Sequence, residues 1–113
     1  MRKSRLCDIL RIKYPIIQAP MLWLSWAELV AAVSQSGGLG TIGANSGARE
    51  PTKDINLLGE RLRQQIQQVR SLTDRPFAVN VMGQDAYSER FAQVVIQEQV
   101  PVAVVSGEDA GIY

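Results

Sequence analysis

Short apolar runs alternate along the chain with longer stretches in which apolar positions recur every three or four residues, the pattern of strands taking turns with helices. Ser4 to Leu10 reads as one short helix with Leu6, Ile9 and Leu10 apolar, after which Ile12 leads toward the first strand. That strand is Ile16 to Ala19, stopped by Pro20, which has no N–H to give to a ladder. Ser25 and Glu28 have the S-x-x-E spacing of a capping box, which predicts a helix starting near Trp26. Its apolar face is Leu29, Val30 and Val33, and Gly37-Gly38 ends it. Leu39 to Ile42 supplies a second short strand, with the flexible loop Gly43-Ala44-Asn45-Ser46-Gly47 at its carboxyl end.

Pro51 or Thr52 starts the next helix, whose single apolar face is Ile55, Leu58, Leu62, Ile66 and Val69. Gly59 weakens it and offers a place where it would divide. Thr73-Asp74-Arg75-Pro76 turns the chain into a third strand, Phe77 to Val81, apolar except for Asn80. Asp85 or Ser88 caps a further helix with Tyr87, Phe91 and Val95 on its face, and Val102 to Val105 is the fourth strand. The strands are continuous apolar runs rather than alternating ones, which means a parallel sheet covered by helices. The fold class is therefore α/β.

Alternation alone leaves an open sheet and a closed barrel both standing. A (β/α)8 barrel typically needs about 250 residues and eight strands, whereas 113 residues supply four, or half of one. The glycines Gly37-Gly38 and Gly40 make a poor dinucleotide fingerprint, because they close a helix instead of opening one after the first strand. The formal charge of +1, from 12 basic and 11 acidic residues spread along the chain, gives no reason to expect nucleic acid or an anionic membrane as partner. Arg2, Lys3 and Arg5 are not followed by the apolar segment of a signal peptide, and no stretch approaches membrane-spanning length. Cys7 is the one cysteine, which fits a reducing cytoplasm. Histidine is absent from the chain, so imidazole acid–base chemistry is too.

Ligands of parallel β/α proteins collect at the carboxyl ends of the strands, which points to the loop Ala19-Pro20-Met21. Met21 carries a polarisable thioether suited to a flat aromatic ligand, or fills core. Asn80, an amide within an apolar strand, must be hydrogen-bonded, to a ligand or to neighbouring backbone. Gln18 points to the face opposite Ala19 and is expected as a structural contact. Trp23 and Trp26 line a pocket or pack the first long helix onto its loop. Ser106 and Gly107 border the same end, but Ser106 has no base beside it to make it a nucleophile.

Laid out in this way, the chain resembles the nitronate monooxygenase family. The matching pieces are Tyr14-Pro15-Ile16-Ile17-Gln18-Ala19-Pro20-Met21, Glu28 to Ser34, Gly37-Gly38-Leu39-Gly40-Thr41-Ile42-Gly43, and Leu72 to Val81. The resemblance implies an FMN-dependent (β/α)8 barrel that oxidises alkyl nitronates to a carbonyl compound and nitrite. It also implies that Ala19, Pro20 and Met21 lie against the flavin ring and that Asn80 contacts it. The family's phosphate-binding glycine loops, and the histidine that some members use, belong to later strands than these. The chain is thus expected to be the N-terminal half of such a barrel, residues 1–113, truncated and inactive alone, with FMN binding weak or absent. Three alternatives stay open: a non-catalytic half-barrel that self-associates, a fragment of a flavin-dependent enoyl-ACP reductase-like enzyme, and a small flavodoxin-like domain.

Overall fold

The computed structural model describes residues 4–83 and 86–107. Arg2 and Lys3, the cap at Asp85 and the loop from Glu108 to Tyr113 lie outside the described residues. Helices α1 (Arg5–Leu10), α2 (Ala27–Gln35), α3 (Ile55–Leu72) and α4 (Ala86–Gln97) surround strands β1 (Gly40–Ile42), β2 (Phe77–Met82) and β3 (Val102–Ser106). The strands form one parallel sheet in the order β1-β2-β3, with Thr41 opposite Ala78 and Ala78 opposite Val102. Neighbours in sequence are neighbours in space, each joined by a helix, which is how a β/α barrel is wound.

The expected first strand is present as a single parallel bridge, Ile17 beside Leu39. Gln18 N donates to Leu39 O and Leu39 N to Ile16 O, both at 2.9 Å. Pro15 and Pro20 bracket the segment and neither has an N–H, so the ladder cannot lengthen. The Gln18 side chain continues it instead: Oε1 accepts from Thr41 N at 3.0 Å and Nε2 donates to Thr41 O at 3.2 Å. The sheet thus has four strand positions, three of them full strands.

Because side chains alternate along a strand, β2 sorts its residues between two faces. Phe77, Val79 and Val81 pack with Ile42 against Val30, Leu62, Ile66, Val69 and Val94 of the three long helices. Ala78 faces the other way, with Leu39, Cys7 and Ile12 at the amino end of the sheet. β2 is buried on both faces as far as Val81, as its continuous apolar run requires.

The helix ends follow the local sequence signals only in part. Gly37, with φ at +102°, follows α2 in the left-handed conformation that glycine adopts most readily, and Gly38 N bonds back to Val33 O at 3.2 Å. Asp54, not Pro51 or Thr52, caps α3: its Oδ1 accepts from Asn56 N and Leu57 N at 2.9 and 3.1 Å. Gly59 does not divide that helix, which runs unbroken for 18 residues. The expected capping box is not formed either. Trp26 occupies the N-cap of α2 without a side-chain bond, and the Ser25 hydroxyl turns toward the preceding loop.

Gly40 is where α2 meets the sheet. A Cβ there would stand 2.2 Å from Val30 O, so helix and strand touch main chain to main chain. Gly40→Ala must lift α2 off β1 and should cost about 1–3 kcal/mol or more, read as a lowered urea midpoint with an unchanged m-value. At Gly59 the nearest atom to an added methyl belongs to the Arg90 side chain, which can move, and alanine favours the helix. Gly59→Ala should cost less than Gly40→Ala in the same measurement.

Candidate functional site

Parallel strands put all their carboxyl ends on one side, and there the loop after β1, the end of β2, the start of α3 and the start of α4 border a cavity of about 400 Å³. Leu22, Met82, Tyr87 and Phe91 give it apolar walls, and Asn45 and Asn80 bring amides to it. Lys53 is the charged residue among its lining. Another cavity of about 400 Å³ opens at the amino end of the sheet between Arg11, Arg70, Arg75 and Phe77. Neither Asn80 nor any of Ala19, Pro20 and Met21 lines that second cavity.

Asn80 lies on the inner face of β2 and is 5% exposed. Its Nδ2 donates to Val104 O at 2.9 Å and to Ser106 Oγ at 3.1 Å, both on β3. The bond to neighbouring backbone, left open by the sequence, is therefore made, and Asn80 still lines the cavity. Gly83 N donates to Ser106 O at 3.0 Å and continues the β2–β3 pairing past the end of β2.

Ala19, Pro20 and Met21 form the loop at the end of the bridge segment and are not among the cavity's lining residues; Leu22, next in sequence, is. A buried hydroxyl fixes this loop. Ser25 Oγ accepts from Met21 N and from Gln18 Nε2, each at 2.8 Å, and lies 3.4 Å from Ala19 O, to which it can donate. Ser25 N returns a bond to Met21 O at 3.0 Å. The Met21 main chain lies flat against Gly43, where a Cβ would stand 2.5 Å from Met21 O. The loop is thus held against the end of β1 while Met21 as a residue remains 39% exposed.

Gln18 is the structural contact that its strand position predicts, spending its amide on Thr41 and Ser25. Trp23 has a φ of +68°, in a region where bulky residues are rare, and donates from its N–H to Ala44 O at 3.3 Å. Neither Trp23 nor Trp26 lines the cavity.

Asn45 was treated in the sequence only as part of a flexible loop. Its φ is +55°, and its Oδ1 is buried with no hydrogen-bond partner among the described residues. The available signal was its company. Between Gly43 and Gly47, asparagine is the residue with a side chain that best tolerates left-handed backbone.

The family description for nitronate monooxygenase matches residues 3–109. The chain is 46% identical over 78 residues to the nitronate monooxygenase of Pseudomonas aeruginosa, covering 69% of this chain and 19% of that protein. It is 42% identical over 92 residues to a probable nitronate monooxygenase of Staphylococcus aureus, covering 81% of this chain and 23% of the relative. Among solved structures, FabK from Thermotoga maritima superposes over 100% of this chain and 33% of its own, with a TM-score of 0.84 and 34% identity. The nitroalkane oxidase from Streptomyces ansochromogenes follows at a TM-score of 0.70 and 26% identity, covering 90% of this chain and 35% of its own. The chain therefore spans about a fifth of the length of these curated relatives and about a third of the solved chains. With its consecutive parallel strands, it has the architecture of the N-terminal half of a (β/α)8 barrel, and it belongs to the nitronate monooxygenase family.

Proposed function

We propose that this segment supplies the flavin-facing wall of an FMN-dependent barrel that oxidises alkyl nitronates. The observation that carries the proposal is the cavity at the strand carboxyl ends, where apolar and aromatic walls meet the amides of Asn80 and Asn45. A flat heterocycle with a polar edge is the ligand class that such a lining fits. The residues present suit the ring portion of FMN: Asn80 offers an amide at its edge, and the clamped loop Ala19-Pro20-Met21, adjoining the cavity through Leu22, offers the thioether of Met21. They do not offer a phosphate cradle at Gly43, where the Met21 main chain fills the space beside Cα. The chemistry that FMN supplies in such enzymes is oxidation of the nitronate, completed by oxygen to a carbonyl compound and nitrite. The part of this chain is to bind, orient and exclude water. Tyr87 and Phe91 shield one side of the cavity, and Asn80 is fixed by β3 before any ligand arrives.

Phosphate anchoring in barrels sits after strands seven and eight, beyond the strand positions described here. The 113-residue chain should accordingly be colourless and inactive with nitronates when purified, and a yellow protein with stoichiometric FMN would overturn this. Within a complete barrel, Asn80→Ala should weaken FMN binding by about 1–3 kcal/mol, measured by flavin fluorescence. It also removes the two bonds to β3, so a fall in thermal midpoint should accompany it. Met21→Ala should weaken binding or slow turnover without a loss of stability, because Met21 is held through its main chain. Unchanged affinity and kinetics in both variants would sink the assignment.

We also infer that the isolated chain self-associates. β3 pairs with β2 on one side and with no strand on the other among the described residues. Ile16, Ile17 and Met82 stand in water at 61%, 44% and 55% exposure. Unpaired edges beside apolar surface recruit further chains. Light scattering on the 113-residue chain should report a dimer or larger; a monodisperse monomer with cooperative unfolding would contradict it.

A further inference from the structure

We propose that Ser25 is a positioning residue of the flavin site, its buried hydroxyl latching the strained turn that presents Met21 and Leu22 to the cavity at the strand carboxyl ends. This rests on the flavin reading given above and adds to it the residue through which that wall is set.

The turn lies at residues 22–24. Leu24 N donates to Leu22 O at 2.8 Å across a single residue, Trp23, whose φ is +68°. A bond from one residue to the next but one, closed over a positive φ, is the rare and strained hand of the γ-turn. Glycine takes such a backbone freely and a tryptophan does not, so the turn lasts only where its surroundings hold it.

Ser25 closes the turn from outside. Its N donates to Met21 O at 3.0 Å and its Oγ accepts from Met21 N at 2.8 Å, so the residues before and after the turn are clasped by two bonds. Its carbonyl accepts from Gly43 N at 3.2 Å, and its Oγ also accepts from Gln18 Nε2 at 2.8 Å. Gln18 is in turn bonded to both main-chain groups of Thr41 on β1. The place of Met21 relative to the sheet is thus handed on through one hydroxyl. Trp23 N adds a longer bond, to Ala44 O at 3.3 Å.

What this buried network holds is not core. Ser25 is fully buried, whereas Leu22, Trp23 and Leu24 are all exposed. Close packing fixes side chains that neighbours enclose; these three are not enclosed, so hydrogen bonds must place them. Leu22 is the one of them that lines the cavity. Removing the hydroxyl leaves Met21 N without its acceptor and frees the turn to relax, which shifts Met21 and Leu22 against a ring bound beside them.

The test uses FMN as the probe, with this segment in a complete barrel, and compares Ser25→Ala, Ser25→Cys, Met21→Ala and Asn80→Ala. Ser25→Cys keeps the volume and offers only a weak acceptor, so it carries the test if Ser25→Ala does not fold. In the flavin-free protein, either Ser25 variant should speed hydrogen exchange at the Met21 amide about tenfold. Each should weaken FMN binding, about tenfold in Ser25→Ala, and shift the visible absorption of the bound flavin at saturating FMN. A hydroxyl that only supports the fold would lower the thermal midpoint and leave FMN affinity and that spectrum as they were. If that is the result while Met21→Ala or Asn80→Ala alters FMN binding, the inference fails and the flavin site stands. If none of the four variants changes FMN affinity or spectrum, the two fail together. Unchanged exchange at Met21 overturns the latch as well, because the turn then holds without it.

Discussion

The main chain of α2 rests on the main chain of β1, and the lack of a side chain at Gly40 makes that approach possible. Other placements follow from it. Ser34 Oγ, on the last turn of α2, accepts from Gly40 N at 3.0 Å and so fixes the helix along its axis. Ala27 N, at the first turn, donates to Gln65 Oε1 at 2.8 Å and ties α2 to α3. Arg63 of α3 then reaches Glu98 Oε1 at 2.7 Å, just beyond α4, with Arg70 at 3.6 Å from the other carboxylate oxygen. The helices are thus located one from another, starting at a strand only three residues long. The walls of the cavity inherit their positions from that series.

Ser25 shows how one residue can satisfy a sequence signal and spend itself elsewhere. Its spacing to Glu28 fits a capping box, and α2 does begin where that signal places it. The hydroxyl nevertheless turns back to the loop before it. Three polar groups converge there, Met21 N, Ala19 O and the Gln18 amide, and one buried hydroxyl bonds with each of them. Ser25 is itself fully buried, so its hydroxyl must find partners within the protein, and the loop supplies them.

Much of the fold was legible because the helices bury one face each. The three- and four-residue spacing from Ile55 to Val69 survives in the structure residue for residue, with Leu58, Leu62, Ile66 and Val69 all buried. β2 was legible for the complementary reason, being apolar on both faces. What could not be read was pairing. Ile16 to Ala19 has the composition of a strand, but the prolines on either side decide how many rungs it makes, and periodicity carries no information about rungs. The candidate site divided in the same way. Asn80 stood out against an apolar strand, whereas Asn45 looked like an ordinary turn residue, and the burial of its amide oxygen is visible only in the folded chain.

The side chain of Gln18 has a consequence for how the sheet ends. By occupying both the N–H and the carbonyl of Thr41, it imitates one residue of a neighbouring strand at the place where the real one stops. A strand from another molecule that approached β1 here would find its first hydrogen-bonding positions taken by an amide that is itself held by Ser25. Native sheets often guard their margins with charge, proline or a bulge. In this chain two prolines and a glutamine do so together, leaving the β1 border inert to templated growth while β3 has no such guard.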